Sequence, residues 1–360
     1  MTPIGSRRDD DGWLKKLPRR LLRSMRFLIL ALVLAWATLA IYFSTLPWKG
    51  LRVALAIAFA AFGIWALWFA RRPRMRWVFA ALYVVVLVGW SFIRPSHDRE
   101  WRADVAVMPR AFIDGDRVRI TGVRNFDYRS REDFTVGYEE REVLLSHLVG
   151  LDFFISYWKP GPIGHTFVSF IFDNAPPLSV SIETRPEAHE GYDPLASMFK
   201  KYELIYLVGE ERDLVGVRTN FRREDVYVYR IQLPAEAARR LFRVYLERIN
   251  ELADEPEFYH LLSNSCTVNI VRYANLAGRV GAIDVRHYLN GWIDGYFYDA
   301  RLLIARFPFA ELRRRSRVDA GVEASAGTVE FARRIRDSVP GMNPPRPPST
   351  PPAPEANPGT

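Results

Sequence analysis

The 360-residue sequence predicts three N-terminal transmembrane helices followed by an α+β domain. Three observations carry this. Three long uncharged apolar runs follow one another before residue 94. A pair of alternating segments, His165 to Phe172 and Leu178 to Thr184, has the two-residue period of a hairpin. The stretch Pro234 to Ala253 repeats apolar residues at helical spacing, with Leu241, Tyr245, Ile249 and Leu252 on one face.

The apolar runs are Phe27 to Leu46, Leu51 or Val53 to Ala70, and Trp77 to Ile93. Each approaches the ~20 residues that cross a bilayer. A cleavable leader would have a shorter core and needs no second run. Trp48, Trp68, Trp77 and Trp90 sit near run ends, as interfacial anchors do. Charge supports the same reading. The net charge is +9. Residues 1–26 carry eight Lys/Arg and three Asp, a sum of +5, and residues 71–76 add +4. These two pieces account for the whole excess, so no separate basic face remains for nucleic acid. Positive charge on one side of the runs puts the basic N-terminal tail (residues 1–24) and the 71–76 loop in the cytosol. Three crossings (25–94) then deliver the chain from Arg94 onward to the outer side of an inner membrane, the periplasm. Lys49 and Arg52 run against that pattern.

Residues 98–339 read as the periplasmic domain, and 340–360, rich in Pro and Ser, as a disordered tail. Strands are expected at Val118 to Val123, Phe134 to Tyr138, Leu151 to Trp158, Leu204 to Val208, Val215 to Asn220 and Val226 to Ile231. A short helix or turn is expected at Leu144 to His147. The run Trp292 to Phe307 is aromatic and partly helical.

The lone cysteine is Cys266, which excludes an intrachain disulfide. Ser263, Asn264 and Ser265 precede it as helix-capping types, and Ile270, Val271 and Ala274 follow at helical spacing, with Asn269 and Arg272 off that side. Gly278 is a natural stop. Cys266 is therefore expected in a helix's first turn, where the dipole and free N–H groups favour a thiolate. A packed, inert thiol fits the same spacing, and position alone leaves both open.

A cysteine nucleophile needs a base. Of six histidines, His165 has the best setting, opening a strand directly after the Pro-Gly-Pro-Ile-Gly turn at 160–164. A half-buried structural role is the alternative. His260 lies six residues before the cysteine, behind a packing turn; His189 sits in an acidic stretch and His97 follows the third run. Ser179, Ser181 and Glu183 share the polar face of the next strand, so one of them can orient the imidazole. Glu183 is equally compatible with a pair to Arg185 or another surface arginine. The Cys266 N–H is the natural oxyanion donor, with Asn264 or a tyrosine such as Tyr202 or Tyr206 as a second. The run Arg218 to Arg223, with Arg222 as its candidate binding residue, suits an anionic headgroup or carboxylate, or simply pairs with Glu210, Glu211 or Asp213. No histidine has metal-ligand spacing, and no cofactor is expected.

Several stretches between Arg99 and Asn290 together resemble a known family. They are Asp104 to Pro109, Asp127 to Ser130, His165 to Phe170, Tyr202 to Tyr206, Glu211 to Asp213, Arg218 to Arg222, and Phe258 with Tyr259 through Asn264 to Ile270. The family is the periplasmic N-terminal domain of a bacterial lipoprotein N-acyltransferase. The resemblance implies a permuted papain-like thiol fold with an antiparallel sheet, shared with lecithin:retinol acyltransferase-type enzymes, in which the histidine strand precedes the cysteine helix. It implies Cys266 as acylated nucleophile and His165 as its base, with membrane lipids or lipoproteins as partners. The chain departs from the family in carrying its apolar runs before the domain, and in reading Asn-Ser-Cys where a second Asn is usual. The expected activity is a cysteine acyltransferase or acyl hydrolase. A papain-like cell-wall amidase or peptidase, and a non-catalytic membrane-anchored binding module, are the alternatives.

Overall fold

The computed structural model describes residues 19–279, 281, 284–323, 327–339 and 342. The basic tail before residue 19 and nearly all of the 340–360 segment lie outside the described residues. The described residues form two compact units, 19–94 with 199–201 in one, 95–198 with those from 202 onward in the other.

The first unit holds three helices: α1 (Arg19–Tyr42), α2 (Lys49–Ile64, continued by a π turn over Trp65–Phe69) and α3 (Arg74–Ser91). All three are long and apolar enough to cross a membrane. Leu34, Ala37, Phe59, Ala66 and Phe79 are buried among them. Leu28, Ile57 and Val85 are exposed on their outer faces, as lipid-facing residues are. Gly63 suits the close packing: a Cβ there would lie 2.4 Å from Leu34 Cδ1, so that side chain would have to shift.

The second unit begins with β1 (Arg110–Asp114), β2 (Arg117–Arg124), β3 (Asp127–Tyr128), β4 (Phe134–Thr135), β5 (Tyr138–Leu144) and β6 (Leu148–Tyr157). Then come β7 (His165–Phe172), β8 (Leu178–Arg185), β9 (Glu203–Glu210), the single turn α4 (Glu211–Leu214) and β10 (Asp225–Arg230). Helices α5 (Ala235–Asp254), α6 (Cys266–Leu276), α7 (Ile293–Asp299), α8 (Phe309–Ser316) and α9 (Thr328–Arg334) follow. The main sheet has the order β1-β2-β9-β8-β7-β6-β10, with β5 also on β2. An antiparallel sheet was expected; one pair departs, β2 meeting β9 in parallel at Arg124 and Gly209.

The sheet is covered on both faces because its central strands are apolar on both. Val168, Phe170 and Phe172 of β7 and Val180 and Ile182 of β8 join the large core with Phe242, Tyr245 and Ile249 of α5 and Ile270 and Tyr273 of α6. The opposite face, with Phe154, Phe167 and Val228, packs against Val215, Phe331 and Ile335. Arg336, fully buried, ties that C-terminal layer down through Asp152 at 2.8 Å and Glu211 at 2.5 Å.

Three expectations are corrected. Val215 to Asn220 is not a strand: Val217–Phe221 is a π turn, since Arg218 and Thr219 are buried in hydrogen bonds to Leu214 and Val215 carbonyls instead of pairing with a neighbour. The Phe134 to Tyr138 segment splits, with Phe134–Thr135 pairing with β3 and Tyr138 opening β5 against β2. Asn269 is not off the buried side of the cysteine helix; it is fully buried, with Asn264 and Arg272 satisfying its amide.

Candidate functional site

The site is built where the starts of β7 and α6 meet the end of β8. The N-cap of α6 is Ser265, in extended conformation, but its side chain makes no capping bond. The first-turn N–H groups are therefore not taken by a cap oxygen. Cys266 opens the helix and is buried. Gly278 follows its end with φ +104°, the left-handed stop that only glycine adopts cheaply.

His165 stands at the mouth of β7. Its Nε2 lies 2.7 Å from Ser181 Oγ and 3.0 Å from Glu183 Oε1. Ser181 donates to Glu183 Oε1 at 2.7 Å. The alternation of β8 explains this: residues 181 and 183 share a face, and the β7–β8 register sets Phe167 opposite Ser181. Engaging Nε2 in this way leaves Nδ1 as the ring nitrogen for the thiol. Glu183 also accepts from Arg218 Nη2 at 2.6 Å, while the guanidinium stacks over Phe167 at 4.9 Å. Its partner is thus Arg218; Arg185 bonds instead to the Val105 and Ala106 carbonyls.

Burial pushes the Cys266 thiol up, but the hydrogen bond and charge of His165, with the Thr166 N–H and hydroxyl, overcome it and bring the thiol down to about 6. Burial lowers the His165 imidazole, yet the Glu183 carboxylate and the thiolate raise it to about 9. Burial disfavours the Glu183 carboxylate, and His165 and Arg218 together hold it well below the usual carboxylate range. The three signs agree: the arrangement favours a thiolate–imidazolium pair between about pH 6 and pH 9. Replacing Glu183 by glutamine removes the charge that lifts the imidazole. The upper edge of that window is expected to fall by about 1–3 units, read as the high-pH limb of a Cys266 reactivity profile.

Asn290 was not singled out from the sequence. Its Nδ2 donates to Gly164 O at 2.8 Å and Thr267 Oγ1 at 2.9 Å and lies 3.9 Å from the thiol, while its Oδ1 accepts from Gly164 N at 2.9 Å. Gly291 N donates to Pro162 O at 2.8 Å. A Cβ on Gly291 would sit 2.3 Å from Gly161 O, so only glycine permits this approach. The two residues clamp the 160–164 turn from which His165 emerges. Nothing in the sequence marked them, because the clamp joins positions more than a hundred residues apart. Asn290→Ala leaves the buried Gly164 N–H and carbonyl without partners. It is expected to cost about 1–3 kcal/mol, visible as a lowered midpoint in thermal unfolding.

A cleft of about 860 Å³ opens onto Cys266 and His165. Arg222 and Glu183 also line it. Two expected binding residues do not. Tyr202 is buried elsewhere, donating to Gly191 O at 2.6 Å and accepting from Asp193 N at 3.0 Å, so it braces the 191–193 loop. Asn264 donates to Glu257 and to Phe258 O and accepts from Asn269; its amide is spent holding the turn before the cysteine. Tyr206 is buried against Tyr273. The Tyr259 hydroxyl lies 4.0 Å from the thiol. His260 bonds Ser263 at 2.9 Å and His97 bonds Leu252 O at 2.8 Å. Glu187, His189 and Glu190 bring ligand-type atoms within 4.8 Å of one another. Within that cluster only His189 is exposed, and Glu187 is already ion-paired with Arg99.

Residues 135–291 match the family model of the Lnb N-terminal periplasmic domain, the family that the motifs resemble. The match spans less than half of the chain and contains His165, Glu183, Cys266 and Asn290. No curated protein matches the chain, and no solved structure does. The matched domain together with three candidate membrane helices describes a membrane protein with a periplasmic domain.

Proposed function

We propose that this chain, which carries an Lnb N-terminal periplasmic domain over residues 135–291, is a cysteine enzyme that moves acyl groups through a thioester on Cys266. The observation that carries the reading is the buried Cys266 thiol at a helix start, paired with a His165 that Ser181 and Glu183 orient, inside an open cleft. A packed thiol needs neither an ordered imidazole nor access.

In the proposed cycle the Cys266 thiolate attacks the ester carbonyl of a membrane lipid or lipoprotein acyl chain. The developing oxyanion faces the first-turn N–H groups of α6, beginning with that of Cys266. The C–O bond breaks, and the His165 imidazolium gives its proton to the leaving alcohol. Glu183 and Ser181 keep the ring aimed throughout. Water or an amine, deprotonated by His165, then attacks the thioester and releases the acyl group. The order of a histidine strand before a cysteine helix supports a permuted papain-like arrangement. The basic 71–76 loop supports an inner-membrane protein with this domain outside.

Mass spectrometry of the purified full-length protein tests the proposal. An acyl mass on the peptide containing Cys266, removed by neutral hydroxylamine, is the expected result. Release of cell-wall peptide fragments with no such adduct would move the enzyme to amide hydrolysis. Full complementation of a deletion strain by Cys266→Ala would leave a non-catalytic module.

A further inference from the structure

The family match ends at residue 291. The layer on the second face of the sheet is built by later residues, Val318, Val322, Phe331, Ile335, Val339 and Met342. It reaches the catalytic side chains through one element, the π turn Val217–Phe221 that carries Arg218.

The layer holds the chain at both ends of that turn. Ahead of it, Arg336 grips Glu211, the first residue of α4, with two hydrogen bonds at 2.7 Å and 2.5 Å. Phe331 and Ile335 pack with Val215. At the far end, Asn220 Nδ2 donates to the Ala320 and Val322 carbonyls at 3.0 Å and 3.1 Å. π turns are rare and concentrate at functional sites, and this one is fixed from outside itself. A buried ion pair adds little stability over apolar packing of similar volume, so stability alone does not account for the fully buried Arg336.

Arg218 sits between the two attachments. Its Nη1 donates to Leu214 O at the end of α4, and its Nη2 donates to Glu183 Oε1 at 2.6 Å. Its guanidinium lies over Phe167, whose ring stacks on Phe154 at 4.8 Å and on His165 at 5.9 Å. One side chain therefore joins the turn that the layer holds to the carboxylate that faces the imidazole.

We propose that the C-terminal layer completes the catalytic apparatus, with Arg336 and Asn220 as positioning residues that hold the π turn so that Arg218 aims Glu183 at His165. This rests on the cysteine–histidine chemistry proposed above and names what supports its base. Besides Arg218, the groups that act on Glu183 are His165 of β7, Arg222 beside the π turn and Tyr192 after β8. Glu224 stands 4.0 Å from Arg218. None of these belongs to the layer, which acts through position and not through its own charge.

The test carboxymethylates Cys266 of the full chain, in neutral detergent, with iodoacetate over a pH range that spans both limbs. The probe is anionic, so its rate needs the thiolate and is raised by the imidazolium. Its high-pH limb reports loss of the His165 cation. Asn220→Ala is expected to lower that limb by about 0.5 unit or more, in the direction of Glu183→Gln. Asn220→Gln, which keeps the amide donor, is expected to stay closer to the wild type. In a Glu183→Gln background, Asn220→Ala is expected to move the limb by less than about 0.2 unit, since a residue acting through Glu183 has nothing left to act on. Arg336→Lys keeps the charge but loses the two-point grip, and the same pattern is expected; if it does not fold, the Asn220 cycle decides. A limb unmoved by Asn220→Ala, or moved equally with and without Glu183, overturns the proposal and leaves the thiolate–imidazolium pair standing. A wild-type profile without a high-pH limb overturns both.

Discussion

Cys266→Ser is expected to abolish the acyl-enzyme and lower turnover on the order of 10³-fold or more, the scale of losing an activated nucleophile. The serine hydroxyl is nearly isosteric, and the neighbours of the sulfur stay in place: Tyr259 at 4.0 Å, Asn290 at 3.9 Å and Thr267 at 3.8 Å. The fold should therefore hold. What is lost is the thiolate. The surroundings bring the thiol to about 6, so most of it is ionised at neutral pH. The same shift cannot ionise an alcohol, whose starting point lies far higher. A hydroxylamine-sensitive adduct seen in the wild type should be absent in the serine variant, with an unchanged unfolding midpoint as control. Retained adduct elsewhere on the chain would remove Cys266 from the chemistry.

His165→Ala is expected to raise the thiol from about 6 toward or above the ~8.5 of a free cysteine. His165 supplies the hydrogen bond and the charge that outweigh burial. Without them desolvation acts nearly alone, and it disfavours the anion. At pH 7 the thiolate would fall from most of the population to about 3% or less, taking the free-cysteine value as the reference. Thiolate ultraviolet absorbance against pH reads this directly. In the wild type the Cys266 anion is gained as pH rises through about 6, and the His165 cation is lost as pH rises through about 9. Acylation, which needs both, should rise at the first and fall at the second. A midpoint unmoved by His165→Ala would show that the imidazole does not govern the thiol.

The elements most legible in the sequence were those whose burial follows a simple period. The bounds of His165–Phe172 and the buried face of α5 could be read because alternation and helical spacing report one-sided packing. Cys266 at a helix start was legible from Ser265 and Gly278, both local signals. Of the candidate site, the placement of Ser181 and Glu183 toward His165 was foreshadowed by strand parity. Their shared partner Arg218 was not, because the apparent strand around it is a π turn that buries the guanidinium.

The three apolar helices, the charge that flanks them, and a thiol and an imidazole each placed where its element begins are legible before folding is considered. These follow from composition, capping and periodicity, which act over a few residues. The tertiary structure decided which polar groups are satisfied. Tyr202 and Asn264 were site candidates in sequence and are consumed by partners outside the cleft; Asn290 looked incidental and clamps the histidine turn. Hydrogen-bond saturation depends on groups distant in sequence that only folding brings within about 3 Å.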